Sequence, residues 1–277
     1  MKKIVSRNNP ETLFAASLFS KKGREDAGLF PAEGEKLFLE AAKPENRDRI
    51  DRVYLSEESA ARYLALVTDL LGRDFAESDS LVVFSEPAFR KIASEKSPQG
   101  VITLLKTIDF SKKYIKIDKK DFDDLSGRRG LALAGVRDPG NLGAVVRSAV
   151  AFGFTDVVLS SDCVEVTNPK TIRSAMGGIF AVSFRIVEDF SSFISSAREA
   201  GRRTFAAELR EGAKPIGEIG LSPSDIVVIG NEGHGVPPEI AKLCDASVYI
   251  PISSAAESLN AAVAASIFLW EQSKAGN

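Results

Sequence analysis

Leu131-Ala132-Leu133-Ala134-Gly135-Val136-Arg137-Asp138-Pro139-Gly140-Asn141-Leu142-Gly143-Ala144-Val145-Val146-Arg147-Ser148-Ala149 reads as a strand, a turn and the first turns of a helix. Leu131 to Val136 carries no polar side chain, as a strand buried on both faces of a sheet requires. Asp-Pro-Gly-Asn then breaks the chain, and small apolar residues follow at helical spacing. The same cadence recurs downstream. Strands are expected at Leu131 to Val136, Val157 to Leu159, Thr204 to Ala207, Ile226 to Ile229 and Ser247 to Ile250. Helices are expected at Asn141 to Phe152, Thr171 to Met176, Phe190 to Ala200, Pro238 to Lys242 and Leu259 to Gln272. Buried strands alternating with helices dictate an α/β fold around a parallel sheet, whose ligands sit outside the carboxyl ends of the strands.

Working outward, residues 1–108 form a separate small α/β domain. Glu11 to Leu18, Glu33 to Ala42 and Glu57 to Leu71 have helical periodicity; Arg52 to Leu55, Leu81 to Phe84 and Val101 to Leu105 look extended. A polar connector rich in lysine and aspartate, residues 109–129, separates it from residues 130–277. A chain of 277 residues accommodates two domains of ~100–200 residues each.

Composition narrows the function classes. The apolar fraction of 44% and charged fraction of 27% are those of a folded globular protein. Met1 to Phe14 has no apolar run of the kind a secretory signal needs, so the expected location is the cytoplasm. Ala261 to Trp270 spans about half the ~20 residues that cross a bilayer and reads as a core helix, so no membrane partner is expected. Cys163 and Cys244, far apart and outside any CxxC spacing, support neither a disulfide framework nor a zinc cluster. His234 is the only histidine, which argues against a metal centre and leaves little room for a Ser-His-Asp hydrolase. The net charge of −2 argues weakly against nucleic acid. Residues 111–130, however, hold 7 basic and 4 acidic side chains, with Lys112, Lys113, Lys116, Lys119, Lys120, Arg128 and Arg129 forming a basic strip. A solvated linker explains that strip more readily than an RNA contact.

Three constellations carry chemistry. In the first, Asn141 can cap the helix, and Gly140 and Gly143 let backbone approach a ligand. Six positions on, Arg147 stands among Val, Ala and Phe, where a buried guanidinium would need a carboxylate or a phosphate. The second is Gly230-Asn231-Glu232-Gly233-His234-Gly235 after the strand Ile226 to Ile229. It lacks the GxGxxG order of a dinucleotide fold and the Lys-Ser/Thr ending of a P-loop, so NAD and ATP are disfavoured. Glu232 should face the site and orient a polar ligand or Arg147. The third is Ile250-Pro251-Ile252 with Glu257-Ser258-Leu259-Asn260 before an alanine-rich helix, which Ser258 would cap.

In residue type, spacing and order these segments resemble the three signature motifs of the SpoU (TrmH-like) family of RNA ribose methyltransferases in the SPOUT superfamily. The matching residues are Asn141-x-Gly143-x-x-x-Arg147, Gly230-Asn231-Glu232-Gly233 and Ile250-Pro251…Ser258-Leu259-Asn260, and Ser174 to Phe180 resembles the family's small-residue stretch. The similarity spans roughly residues 130–272. Fainter likeness at Ala32 to Ala41 and Ser97 to Val101 points to the family's amino-terminal RNA-binding domain. The resemblance implies a deep trefoil knot, a homodimer and S-adenosylmethionine as cofactor. It assigns Gly230, Gly233, Ile250 and Leu259 to cofactor binding, and Asn141, Arg147, Glu232, Ser258 and Asn260 to the catalytic group. The implied reaction is methylation of a ribose 2′-hydroxyl in ribosomal RNA. Transfer RNA is the alternative substrate, and a non-catalytic RNA-binding protein or a small-molecule α/β enzyme are the readings from other classes.

Overall fold

A computed structural model describes residues 2–107, 111–114 and 130–275, the second stretch by its backbone alone. Two compact units make up the chain: residues 1–108 with 167–180, and residues 109–166 with 181–277.

The first unit is built on a five-stranded sheet of β1 (Lys2–Ile4), β2 (Leu29–Glu33), β3 (Ile50–Ser56), β4 (Leu81–Phe84) and β5 (Val101–Lys106), ordered β1-β4-β3-β5-β2. β1, β4 and β3 run parallel, while β5 is antiparallel to both β3 and β2. Tyr54, Phe84, Phe89, Ile102 and Leu104 are fully buried, with Tyr54 edge-on to Phe84 at 5.0 Å. Each such side chain contributes roughly 1.5–3 kcal/mol. Helices form at Pro10–Ser17, Glu35–Ala41 and Ala60–Leu71 near the expected positions. Helices also form at Lys21–Ala27, Arg73–Glu77 and Glu86–Ile92, where none is expected from the sequence. Helix Pro169–Ser174, capped by Asn168, belongs to this unit, where Arg173 pairs with Glu95 at 2.5 Å.

The second unit holds an eight-stranded sheet. Its members are β6 (Ser111–Tyr114), β7 (Gly130–Leu133), β8 (Asp156–Ser160), β9 (Ser183–Val187), β10 (Thr204–Ala207), β11 (Lys214–Pro215), β12 (Ile226–Ile229) and β13 (Ala246–Tyr249). They are ordered β11-β13-β10-β12-β7-β8-β9-β6 and every pair is parallel. The α/β class and its parallel sheet are thus as the sequence indicated. Alternate residues face opposite sides. Ala132, Val158, Ala206 and Val228 pack under helices Phe190–Glu199 and Pro238–Leu243. On the opposite face helix Ala261–Lys274 lies against β12 and against helix Pro139–Ala151. Ser148 and Ser266 join these two helices through a 2.7 Å hydroxyl contact.

Three expectations need correction. β9 was not expected as a strand, because Arg185 interrupts its apolar run; the guanidinium lies 3.5 Å from the buried carboxylate of Asp156 on β8. Within the stretch read as connector, Ser111–Tyr114 forms the edge strand β6 beside β9. The side chains of the basic strip, Lys112 to Arg129, lie outside the described residues. Neither Asn141 nor Ser258 caps its helix: Asp138 caps Pro139–Ala151 and Asn260 caps Ala261–Lys274. Pro at the first helical position fixes the earlier cap, which frees the Asn141 amide for other partners. Among the described residues, no helix is long and apolar enough to cross a membrane and no cluster of His, Cys, Asp and Glu could hold a metal ion.

Candidate active site

The loops after β7, β12 and β13 meet at the carboxyl ends of the strands of the second sheet. Asp138 Oδ1 accepts the backbone N–H of Asn141 at 2.9 Å and starts the helix Pro139–Ala151 there. Asn141 Nδ2 donates to Glu232 Oε1 at 2.9 Å, and Asn141 Oδ1 accepts from Asn260 Nδ2 at 2.9 Å. Asn260 Oδ1 in turn accepts the backbone N–H groups of Ala262 and Val263, so one side chain caps a helix and orients Asn141. Glu232 also accepts the backbone N–H groups of Asp138 at 3.2 Å and Arg137 at 3.3 Å, and the Asn231 amide at 3.4 Å. Three segments remote in sequence are thereby tied into one polar rim.

Asn231 shapes the glycine loop. Its Nδ2 donates to the Gly135 carbonyl at 2.7 Å and its Oδ1 accepts the Gly233 N–H at 2.9 Å, while its backbone pairs with Gly235. Gly230 is required sterically: a Cβ there would lie 2.0 Å from the Gly235 carbonyl carbon and 2.1 Å from the Val236 nitrogen. His234 is exposed, its Nδ1 3.4 Å from Asn231 Oδ1.

A cavity of about 300 Å³ opens at the carboxyl ends of β10, β12 and β13. Ile229, Val248, Ile250, Leu259 and Phe268 supply its apolar wall. All four residues expected to bind the cofactor (Gly230, Gly233, Ile250 and Leu259) line it, as do Glu232 and Ser258. Asn141 and Asn260 join the group through hydrogen bonds. Arg147 does not line the cavity. The sequence sets it on an apolar helix, where burial would demand a carboxylate or a phosphate, whereas the structure exposes it, with no hydrogen bond or ion pair among the described residues. Glu232 does not position it. Glu208 and Tyr249, which no sequence motif singles out, also line the cavity, as does Glu257 of the third motif, to which no role was assigned. The position of Glu208, immediately after the buried strand β10, was the available signal.

Partial burial alone would raise the Glu232 carboxyl. Hydrogen bonds from the Asn141 amide and from backbone N–H groups outweigh it, and the net shift is downward. A depressed folded-state value stabilises the loop above the ordinary carboxylate range, and that stability is lost as pH falls through the lower folded value. Glu232→Gln should therefore lower the melting temperature at neutral pH, and the difference from wild type should shrink as the pH drops below about 4. A difference unchanged between pH 7 and 3 in thermal melts would contradict the charged network.

A model of the SpoU rRNA Methylase family matches residues 129–270, and one of the MRM3-like substrate binding domain matches residues 9–103. The chain is 29% identical over 270 residues to the 23S rRNA (guanosine(2553)-2'-O)-methyltransferase RlmP of Bacillus subtilis (strain 168), covering 98% of both proteins. It is 30% identical over 247 residues to the 23S rRNA (guanosine-2'-O-)-methyltransferase RlmB of Acinetobacter baylyi, covering 83% of this chain and 97% of that one. The crystal structure of AdoMet-bound rRNA methyltransferase from Sinorhizobium meliloti superposes with a TM-score of 0.78 at 28% identity, covering 99% of this chain and 97% of the other.

Proposed function

Since the chain belongs to the SpoU rRNA methylase family, we propose that it transfers a methyl group from S-adenosylmethionine to a ribose 2′-hydroxyl of ribosomal RNA. The observation that carries this reading is the cavity after β10, β12 and β13, rimmed by the hydrogen-bonded Asn260, Asn141 and Glu232. The residues present fit the cofactor. An apolar wall suits the adenine and the methionine methylenes, carboxylates at the rim suit its cationic groups, and the volume lies at the lower end of the ~300–1,000 Å³ range of ligand pockets. Gly230, Gly233, Ile250 and Leu259 would hold it. When bound it supplies a sulfonium-activated methyl group open to in-line attack.

The chain's own residues then have separable tasks. Asn141, fixed by Glu232 and Asn260, and Asn260, fixed by Asn141 and by its helix cap, present amide groups to the ribose at defined angles. Ser258 offers a hydroxyl at the cavity mouth. Arg147 is exposed on helix Pro139–Ala151, and a guanidinium offers donors and no acceptor, so it pairs with a phosphate of the substrate and polarises the hydroxyl, whose proton passes to solvent.

Two further elements belong to the proposal. The insertion of β12 between β7 and β10, with the last helix returning onto helix Pro139–Ala151, supports the trefoil knot. Val150, Val263 and Trp270 are 37%, 48% and 49% exposed on those two adjacent helices. They offer an apolar face to a second copy of the chain, which supports the homodimer. A ribosomal RNA substrate supports a cytoplasmic location.

The test is transfer of labelled methyl from S-adenosylmethionine to ribosomal RNA, followed by alkaline hydrolysis. A 2′-O-methyl group blocks cleavage at its nucleotide, so label is expected in alkali-resistant dinucleotides. Label in mononucleotides would mean base methylation and would overturn the ribose assignment; label confined to transfer RNA would overturn the ribosomal one.

A further inference from the structure

Glu208 follows β10, between the ends of β13 and β12, and lines the cavity on the side away from the Asn141 and Glu232 network. Its backbone N–H is held by the Val248 carbonyl at 3.0 Å, so the residue is placed by the sheet. Its side chain is 20% exposed. The Ser247 hydroxyl donates to Oε1 at 2.8 Å and Arg210 pairs with the same oxygen at 3.2 Å. Oε2 has no partner among the described residues. One oxygen of the carboxylate is therefore anchored while the other stands ready to accept.

A strand-end carboxylate beside an apolar slot is a general solution for binding a nucleoside ribose, and here the unpartnered oxygen, with two acceptor lone pairs, can receive the neighbouring hydroxyls. The cavity has two polar poles, separated by about the width of one or two strands, ~5–10 Å. The Asn141 and Glu232 pole belongs to the reacting end. The opposite pole falls where the sugar of a nucleoside lying across the strand ends would be, with its base against the apolar wall.

We propose that Glu208 binds the ribose hydroxyls of the cofactor's adenosine moiety and makes the site selective for a ribonucleoside over its deoxy counterpart. This rests on the reading of the cavity as the S-adenosylmethionine site. The interaction is formed in the resting complex, so Glu208 acts on affinity and ligand choice, and the chemistry of transfer does not pass through it.

Calorimetric titration of the full chain with S-adenosylhomocysteine and with its 2′-deoxyadenosine analogue tests the assignment without any turnover. Wild type is expected to bind the ribo ligand at least about tenfold more tightly, the scale of discrimination when a polar site loses its partner. Glu208→Ala should weaken the ribo ligand by about tenfold and bring the two ligands to within about twofold of each other. Glu208→Gln, which keeps the shape and one acceptor oxygen, should retain part of the preference. Ser247→Ala loosens the carboxylate without removing it, and should reduce the preference less than Glu208→Ala. Undiminished discrimination in Glu208→Ala overturns the assignment while leaving the cofactor reading intact. Absence of any S-adenosylhomocysteine binding by wild type overturns the cofactor reading and this inference with it.

Discussion

Arg147→Ala is expected to reduce methyl transfer by about 10²–10³-fold, the usual loss when a preorganised charge donor at a reacting centre is removed. Two structural facts set the direction. Arg147 is exposed on helix Pro139–Ala151, and it has no ion pair among the described residues, so truncation leaves no orphaned carboxylate behind. Stability should therefore change little. Arg147 also lies outside the cavity lining, so the affinity for S-adenosylmethionine should stay within about twofold of wild type, as expected of a residue acting on the transition state. Arg147→Lys separates charge from shape: a lysine keeps the positive charge but loses the planar fork that grips a phosphate with two parallel bonds. An intermediate rate is expected, with much of the loss in the Michaelis constant for RNA. Normal turnover by Arg147→Ala in single-turnover assays would remove the residue from the mechanism.

Gly230→Ala should abolish cofactor binding with a folded chain remaining. All three nearest neighbours of the added methyl are backbone atoms, with the Gly235 oxygen at 2.2 Å completing the set. No rotamer change relieves such a contact, so the segment from Gly233 to Val236 must move. That segment is pinned by the Asn231 and Gly235 backbone pair and by the Asn231 side chain. Overpacking costs about 1–3 kcal/mol, seen as a lower melting temperature. The larger effect is on the ligand, because the same displacement drags Glu232 away from Asn141. Gly217→Ala, where an added Cβ meets nothing within 4 Å, is the control and should behave as wild type. Calorimetry showing wild-type affinity in Gly230→Ala would sink the assignment of this loop to the cofactor.

The parts of the fold that could be read from the sequence were those where one rule acted alone. β4, β10 and β12 have the bounds expected of them, because a short, fully buried and almost wholly apolar run between turn signals reads as a parallel strand. β9 was hidden because its polar residue is neutralised by Asp156 on a neighbouring strand, a pairing that only the fold creates. β1 was hidden by its two lysines, both exposed at the sheet edge. Within the site, Gly230, Glu232 and Gly233 of the glycine loop line the cavity together with Ser258 and Leu259, and Asn260 joins them through Asn141. The functions of the caps were not legible: Asp138 and Asn141 are both competent, and local sequence does not say which will have a distant partner. Arg147 shows the same limit. An arginine in an apolar helix looks buried until the neighbouring elements are known.

Asn141 and Asn260 stand 119 residues apart and Asn141 and Glu232 91 apart, yet each pair shares one hydrogen bond. The β7–β12 pairing at the centre of the sheet is as remote, Leu131 lying opposite Val227, so rim and sheet wait on the same loop closures and their entropy. A partly folded chain that has not joined β7 to β12 lacks the rim as well. Catalytic competence is therefore expected to appear together with the completed centre of the sheet.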